Sequence, residues 1–340
     1  QLKFINKVVK KYHNIFNQTV VKYMDYDFSQ CNNRQLMDIF YKIYFNITKN
    51  YGIPIINDFG TMIYYGQLAK FFKKLNLKDG DSLQNDLLAG EGEVESTKPT
   101  REIIRISNFI RQNQKLKDLF MQYSEKELIQ KILETEDSEF SEVRALIKNY
   151  IKLYGDRAMN ELKIEESTLR EDPAFLFMMI KNYLKKEPIN LEEMEKKERS
   201  VREKAEKIVY SQIGFMKKRK LNKILKKARF HIKKREELRF MRTKFAGVNR
   251  AIFNAIGKNF VKDELIEKYK DICYLTMNET FDLIEGRSVN LSFLKQLISM
   301  RKNNYVENQK NEPHERMYFY GDICQMRFAE LYSEEEIELA

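Results

Sequence analysis

Glycine and proline are scarce in this chain, with twelve Gly and five Pro among 340 residues. A sequence with so few places to turn, and with no glycine- or serine-rich linker of any length, is built mostly of helices. Long apolar runs are missing too. The longest, AFLFMMI at Ala174 to Ile180, falls far short of the roughly 20 residues a bilayer-spanning helix needs, and no basic-then-apolar leader opens the sequence. No membrane association is expected. Cys31, Cys273 and Cys324 are odd in number and far apart. That suits a reducing compartment better than a disulfide framework, so the expected location is the cytoplasm. His13, His231 and His314 are not closely spaced with any cysteine, and no zinc site is expected. Catalytic signatures are equally sparse. GEGEV at Gly90 to Val94 lacks the strand-then-helix context and the Lys-Ser/Thr ending of a phosphate-binding loop, and there is neither a nucleophile elbow nor a His-Glu-x-x-His helix. The chain opens on Gln1 and not on methionine, as expected of a piece cut from something larger.

What the chain does have is positive charge, held in one place. Its net charge is +11, and fourteen Lys and Arg against two Glu fall between Lys217 and Lys244, so the remainder is close to neutral. One concentrated basic stretch suits a nucleic acid, an anionic membrane or a phosphorylated small molecule. The plainer alternative is a solvated helix face.

Apolar spacing marks helices along most of the chain, whose length allows two domains or one elongated helical one. The first two run through Phe4, Val8, Tyr12, Ile15 and Phe16 and through Leu36, Ile39, Phe40, Ile43 and Tyr44. Pro54 and Gly60 punctuate the next stretch, with a helix resuming after Asp58, and Thr100 is placed to cap a helix through Arg111. Gly155 ends one helix, and Asp172–Pro173 opens another as cap and first residue. Between Leu191 and Lys258 only Gly214 and Gly247 interrupt helical composition, which implies one or two very long helices. The fold class read from this is all-α: an elongated multi-helix domain with long helices between about 191 and 258. At most it has a very short strand near 272–276, followed by a brief helix capped by Asn278 and a last helix from about Leu291 to Lys302.

Two stretches carry candidate chemistry. In YGDRAMNELKIEESTLREDP a polar segment is held between two apolar helices, which describes an ordered loop over a cleft. Asp156, Arg157 and Glu161 could meet a ligand there, or could cap helix ends and pair with one another. The second stretch is FHIKKREELRFMRTKF. Leu221, Ile224, Leu225, Ala228 and Ile232 mark one apolar face, and two heptads on from Leu221, Leu225 and Ala228 the same face shows Arg235, Arg239 and Arg242. Guanidiniums continuing an apolar stripe should look into the interior or a cleft, where they need carboxylates or phosphates for their donors. Glu236 is placed to pair with Arg239 at helical spacing. Alternatively a phase break near Phe230 turns the arginines to solvent, because Leu238, Met241, Phe245, Val248 and Ile252 lie on a different face.

PIINDFGTMIYYGQL, NDLLAGEGEVEST, the YGDRAMNELKIEESTLREDP stretch, KKREELRFMRTKFAGVNRAIF and DICYLTMNETFDLI together resemble, in order, the middle region of phosphoenolpyruvate synthase-like enzymes, especially rifampicin phosphotransferases. They span roughly Tyr51 to Leu283. The resemblance implies a helical acceptor-binding domain set between an ATP-grasp nucleotide domain and a swivelling phosphohistidine domain, which carries a phosphoryl group from ATP to a small-molecule acceptor. It places Arg235, Glu236 and Arg239 in the family's Arg-Glu-x-x-Lys/Arg motif beside the transfer site, as catalytic candidates. Asn57 and Asp58, from the first stretch, join Asp156, Arg157 and Glu161 as substrate-binding candidates. Where relatives often read Tyr-Gly-His-Arg-Gly, this chain has Tyr154-Gly155-Asp156-Arg157-Ala158, which leaves the acceptor open between pyruvate, a rifamycin and something else.

The expected layout is therefore a helical acceptor-binding domain over residues 1–310, with a possible sub-division near 155–190, and a linker at 311–340 towards a phosphohistidine domain. No cofactor is expected in this chain, ATP and Mg2+ belonging to the nucleotide domain, and the chain alone should not turn over ATP. The alternative is a non-catalytic helical interaction protein whose basic helix binds nucleic acid or an acidic partner. No groove-reading motif surrounds the lysines, and few aromatics interleave them between Lys217 and Lys234, which argues against nucleic acid.

Overall fold

The computed structural model describes residues 2–75, 80–89, 97–157, 160–287 and 291–312. These residues form thirteen α-helices and no strand. In chain order the helices are α1 (Leu2–Thr19), α2 (Asn33–Lys49), α3 (Gly52–Leu75), α4 (Gly80–Asp86), α5 (Lys98–Arg111), α6 (Gln114–Gln122) and α7 (Glu125–Ile129). They continue with α8 (Ser141–Tyr154), α9 (Ala174–Leu184), α10 (Leu191–Ser211), α11 (Phe215–Lys262), α12 (Met277–Ile284) and α13 (Leu291–Asn308). None is long and apolar enough to cross a membrane. The GEGEV loop, Ala158, His314, Cys324 and nearly all of the 311–340 segment lie outside the described residues.

Short polar side chains set where the helices start. Asn32 with Gln35, Ser124 with Glu127 and Thr276 with Glu279 each satisfy two backbone donors reciprocally, and Asn113 and Asn190 cap α6 and α10. Gly155 closes α8, and Asp172 Oδ1 accepts from the Ala174 amide just past Pro173 to open α9. Local boundaries differ from the sequence reading in several places: Pro173 is the cap of α9 and not its first residue, and the last helix runs on from Lys302 to Asn308. α3 is one helix from Gly52, because Pro54 falls in its first turn where no amide donor is missed. α5 begins at Lys98, with Pro99 again in the first turn, so Thr100 is helical and not a cap. The segment Tyr269–Tyr274, where a strand was possible, is a 3-10 turn. It has no neighbouring strand to pair with, Asp271 closes it by accepting from the Lys268 amide, and Thr276, not Asn278, caps the next helix.

Three apolar clusters are strung along α11, whose 48 residues run roughly 70 Å at 1.5 Å per residue. Its first half buries Leu221, Ile224 and Leu225 against Leu68 and Phe72 of α3, Leu83 and Leu87 beside α4, and Ala205 and Val209 of α10. Its second half buries Val248, Ile252, Ile256 and Phe260 against α1, α2, the 269–274 turn and α12. The third cluster is formed by α5 to α9 around Ile110, Phe120, Ile147 and Phe177, and Phe240 of α11 packs on its edge. On α1 the buried residues are Ile5, Val9, Tyr12 and Phe16, while Phe4 is exposed. The apolar face is thus shifted by one position at its start, since helical spacing admits either phase until a neighbour selects one.

Gly257 sits where α11 meets the 269–274 turn, and a Cβ there would collide with the Tyr269 carbonyl oxygen. In an open helix, replacing Gly by Ala stabilises by about 1 kcal/mol. Here a backbone carbonyl blocks the methyl and no rotamer change relieves it. Gly257→Ala is therefore expected to destabilise by about 1–3 kcal/mol, whereas Gly66→Ala on α3, where nothing lies within reach, should stabilise. Denaturation midpoints that move the same way for both would contradict this packing.

Candidate functional site

α3 and α11 run antiparallel and make the most extensive helix pairing among the described residues. Asn57 is completely buried between them. Its Nδ2 donates to the His231 carbonyl oxygen at 3.0 Å, and its Oδ1 lies 2.9 Å from His231 Nδ1. The next residue on α3, Asp58, places its Oδ1 3.5 Å from Nε of Arg235, one turn along α11 from His231. Beyond that pair the helices leave a cleft of about 320 Å³, lined by Tyr51, Pro54, Ile55, Asp58, Arg235, Leu238, Arg239 and Arg242. All three arginines of the row thus reach one cleft. Its opening leaves the Arg235 side chain 54% exposed, so the row continues the direction of the apolar stripe without being buried by it.

The pairing within the cleft differs from the expected one. Glu236 makes no ion pair among the described residues. The neighbouring Glu237 is the engaged carboxylate, with His13 Nε2 at 2.9 Å and Lys234 Nζ at 2.6 Å. Arg235 is held by Asp58, and Arg239 and Arg242 have no carboxylate partner among the described residues. Arg242 Nε is buried without an acceptor. Three guanidiniums facing one carboxylate give the cleft a surplus of positive charge, which is the composition that binds an anion.

Residues 156–157 and 160–171, from the loop between α8 and α9, meet α11 between Phe240 and Arg250, overlapping the end of the arginine row. Arg250, nearly fully buried, donates to the Glu161, Lys163 and Ile164 carbonyl oxygens at 2.9, 2.6 and 3.3 Å. Thr243 Oγ1 donates to Glu161 Oε1 at 2.6 Å, and Arg157 lies 3.9 Å from the other Glu161 oxygen and 5.9 Å from the Phe240 ring centre. Asp156 packs on Gly247, where any side chain would collide with it, and accepts from Arg170 Nε at 2.9 Å. Burial pushes its carboxyl up against the opposing pull of Arg170. Asp156 and Glu161 are thus engaged by the fold, and of the loop's three candidates Arg157 is the most open. Thr243 and Arg250, the anchors of this loop, carry no local sequence signal because their partners are more than eighty positions away.

The family model described as the rifampicin phosphotransferase fourth domain matches residues 58–236. That is more than half of the chain. The chain belongs to this family. A fourth domain is part of a multi-domain phosphotransferase, so the resemblance read from the five stretches holds at the level of family and helical fold. A comparison with curated proteins finds no match. The matched region of this phosphotransferase-family domain opens at Asp58 and closes at Glu236, so it takes in the Asp58–Arg235 pair and ends within the arginine cleft.

Glu237 ties α1 to the arginine-bearing segment of α11. Burial alone would raise its carboxyl, but hydrogen bonds with His13 and Lys234 outweigh it and hold the pKa at about 2, below the ordinary 4.5. A carboxyl depressed by folding stabilises fully above the unfolded value and loses that contribution as pH falls towards the folded one. Parent protein should therefore exceed Glu237→Gln by about 2 kcal/mol near pH 6, after allowance for solvent screening, and the gap should close between pH 4.5 and 2. Urea titrations showing a gap independent of pH would contradict the assignment.

Proposed function

We propose that this chain is the acceptor-binding domain of a phosphoenolpyruvate synthase-like phosphotransferase, and that its arginine cleft receives the phosphoryl group presented by the phosphohistidine of a swivelling domain. The observation that carries this reading is the charge imbalance in the cleft: Arg239 and Arg242 stand beside Arg235 with only Asp58 to balance them. Phosphoryl transfer asks little covalent chemistry of the protein and depends on position and neutralised charge. Guanidiniums suit that task because their planar donors fit phosphate oxygens in pairs. In this reading the Asp58–Arg235 pair holds Arg235 in place before the phosphoryl group arrives, and Arg157, the most open of the loop's three candidates, is offered to the acceptor. Glu236 engages no arginine, and no part in anion binding is assigned to it. ATP and Mg2+ act on a separate nucleotide domain. The donor set of the cleft, three guanidiniums and a carboxylate already paired, does not fit a cation, and no step here runs through one. The acceptor is a small molecule of open identity.

Calorimetric titration with inorganic phosphate and with phosphoramidate, whose P–N bond stands in for phosphohistidine, tests the cleft. A charge-assisted hydrogen bond contributes about 1.5–3 kcal/mol, or roughly 10- to 100-fold in affinity. Arg239→Leu should lose about that much. Asp58→Asn releases Arg235 from its carboxylate and should tighten binding. Affinities equal to the parent's in both variants would overturn the proposal.

A further inference from the structure

On the side of the α3–α11 crossing next to α1 lies a second groove of about 610 Å³, with Ile5, Ile56, Phe59 and Ile63 among its walls and Tyr64, Gln67, Lys227 and His231 as its polar lining. Ile56, Phe59 and Ile63 are each about half exposed. The groove falls within the size range of small-molecule sites, roughly 300–1,000 Å³, and has their character of apolar walls with few polar groups.

The state of His231 follows from geometry. The carbonyl oxygen of His231 can only accept, so the Asn57 atom 3.0 Å from it is the amide nitrogen, and Asn57 Oδ1 is the atom facing the ring at 2.9 Å. An amide oxygen can only accept as well, so Nδ1 carries a proton, and in the neutral ring it is Nε2 that holds the lone pair. Nε2 has no hydrogen-bond partner among the described residues. Burial first, and the Lys227 ammonium second, push the His231 pKa below its ordinary value, which favours the neutral ring. It is also held still. Tyr64 stacks on it at 5.3 Å and 21°, Phe230 meets it edge-on, and Gly60 leaves it room that any other residue would fill.

We propose that this groove binds a small, largely apolar molecule through a hydroxyl group that donates to His231 Nε2. An acceptor on a ring this fixed, in a residue 4% exposed and with no donor from the described residues, favours a ligand that brings one. A carboxylate would set lone pair against lone pair. The ammonium of Lys227 donates to Tyr64 Oη at 3.3 Å and lies 4.8 Å from the centre of that ring, so its charge draws an anion towards Tyr64 but supplies no donor at Nε2. His231 thereby selects for hydrogen-bond donors over anions, the reverse of the arginine cleft. The inference does not require phosphoryl transfer.

Three probes with the same apolar body separate the possibilities: 4-hydroxybiphenyl, 4-methylbiphenyl and biphenyl-4-carboxylate. Long-range 1H–15N spectra of the protein at pH 7 should show His231 as the Nδ1–H tautomer. Its Nε2 resonance should move upfield with 4-hydroxybiphenyl alone, and that probe should bind at least about tenfold more tightly than the other two. His231→Phe should abolish the discrimination. If that variant does not fold, the parent spectra decide, since an Nε2–H tautomer or an Nε2 signal unmoved by the hydroxyl probe overturns the proposal. Equal affinity for all three probes does the same. Phosphate affinity of the arginine cleft is a separate readout, so failure here leaves the proposed function standing, and failure there leaves this site standing.

Discussion

Helices α3 and α11 touch where Gly60 leaves space for the His231 imidazole, and the arrangement on both sides of that contact follows from it. A side chain at position 60 would run into the ring, so the helices could not approach as closely. Asn57 then fixes the register by bonding both the ring and the backbone carbonyl of His231. With that register set, Asp58 falls opposite Arg235 and Tyr64 opposite Lys227, and Leu68 and Phe72 enter the same cluster as Leu221 and Leu225. Asn57 is buried with both ends of its amide bonded. Losing either partner would leave a buried polar group unsatisfied, at about 1–3 kcal/mol. The contact therefore specifies one register and disfavours its neighbours.

The same crossing explains how arginines can continue an apolar stripe. On the C-terminal side of α3 the gap to α11 is filled by leucine and phenylalanine; on the N-terminal side it holds Pro54, Ile55 and Asp58 and stays open. Arg235 and Arg239 point the way the leucines do, but into a cleft that water reaches, which spares them the several kcal/mol of full desolvation, while Arg242 is partly buried and its Nε lacks an acceptor. α3 is accordingly apolar on nearly every side, with Ile55, Ile56, Phe59, Met62 and Ile63 exposed beside two grooves of opposite chemistry.

Much of this architecture is legible from residue spacing. Scarce glycine and proline predict an all-helical chain, Gly214 marks the start of the 48-residue helix, and Gly155 and Asp172–Pro173 mark the loop between α8 and α9. Phase and pairing are less legible. Ile5 and Phe4 satisfy helical spacing equally well, and Glu236 and Glu237 both lie within reach of arginine or lysine on their own helix. Only the position of α1, which brings His13 to Glu237, decides which carboxylate is used. The Asn57–His231 bond joins residues 174 positions apart, so nothing in the sequence shows that Asn57, named there as a substrate-binding candidate, is buried and engaged by His231. The arginine row could be read from the sequence because its repeat is local; Asp58 as the partner of Arg235 could not.

The central claim is that an anion settles among Arg235, Arg239 and Arg242 and not along the rest of the basic helix. Tungstate, a phosphate-like oxyanion with strong anomalous scattering, locates such a site directly in crystals of the protein. The account predicts one dominant peak in the α3–α11 cleft within hydrogen-bond distance of at least two of the three guanidiniums. Peaks confined to the exposed lysines between Lys217 and Lys226, with the cleft empty, would contradict it.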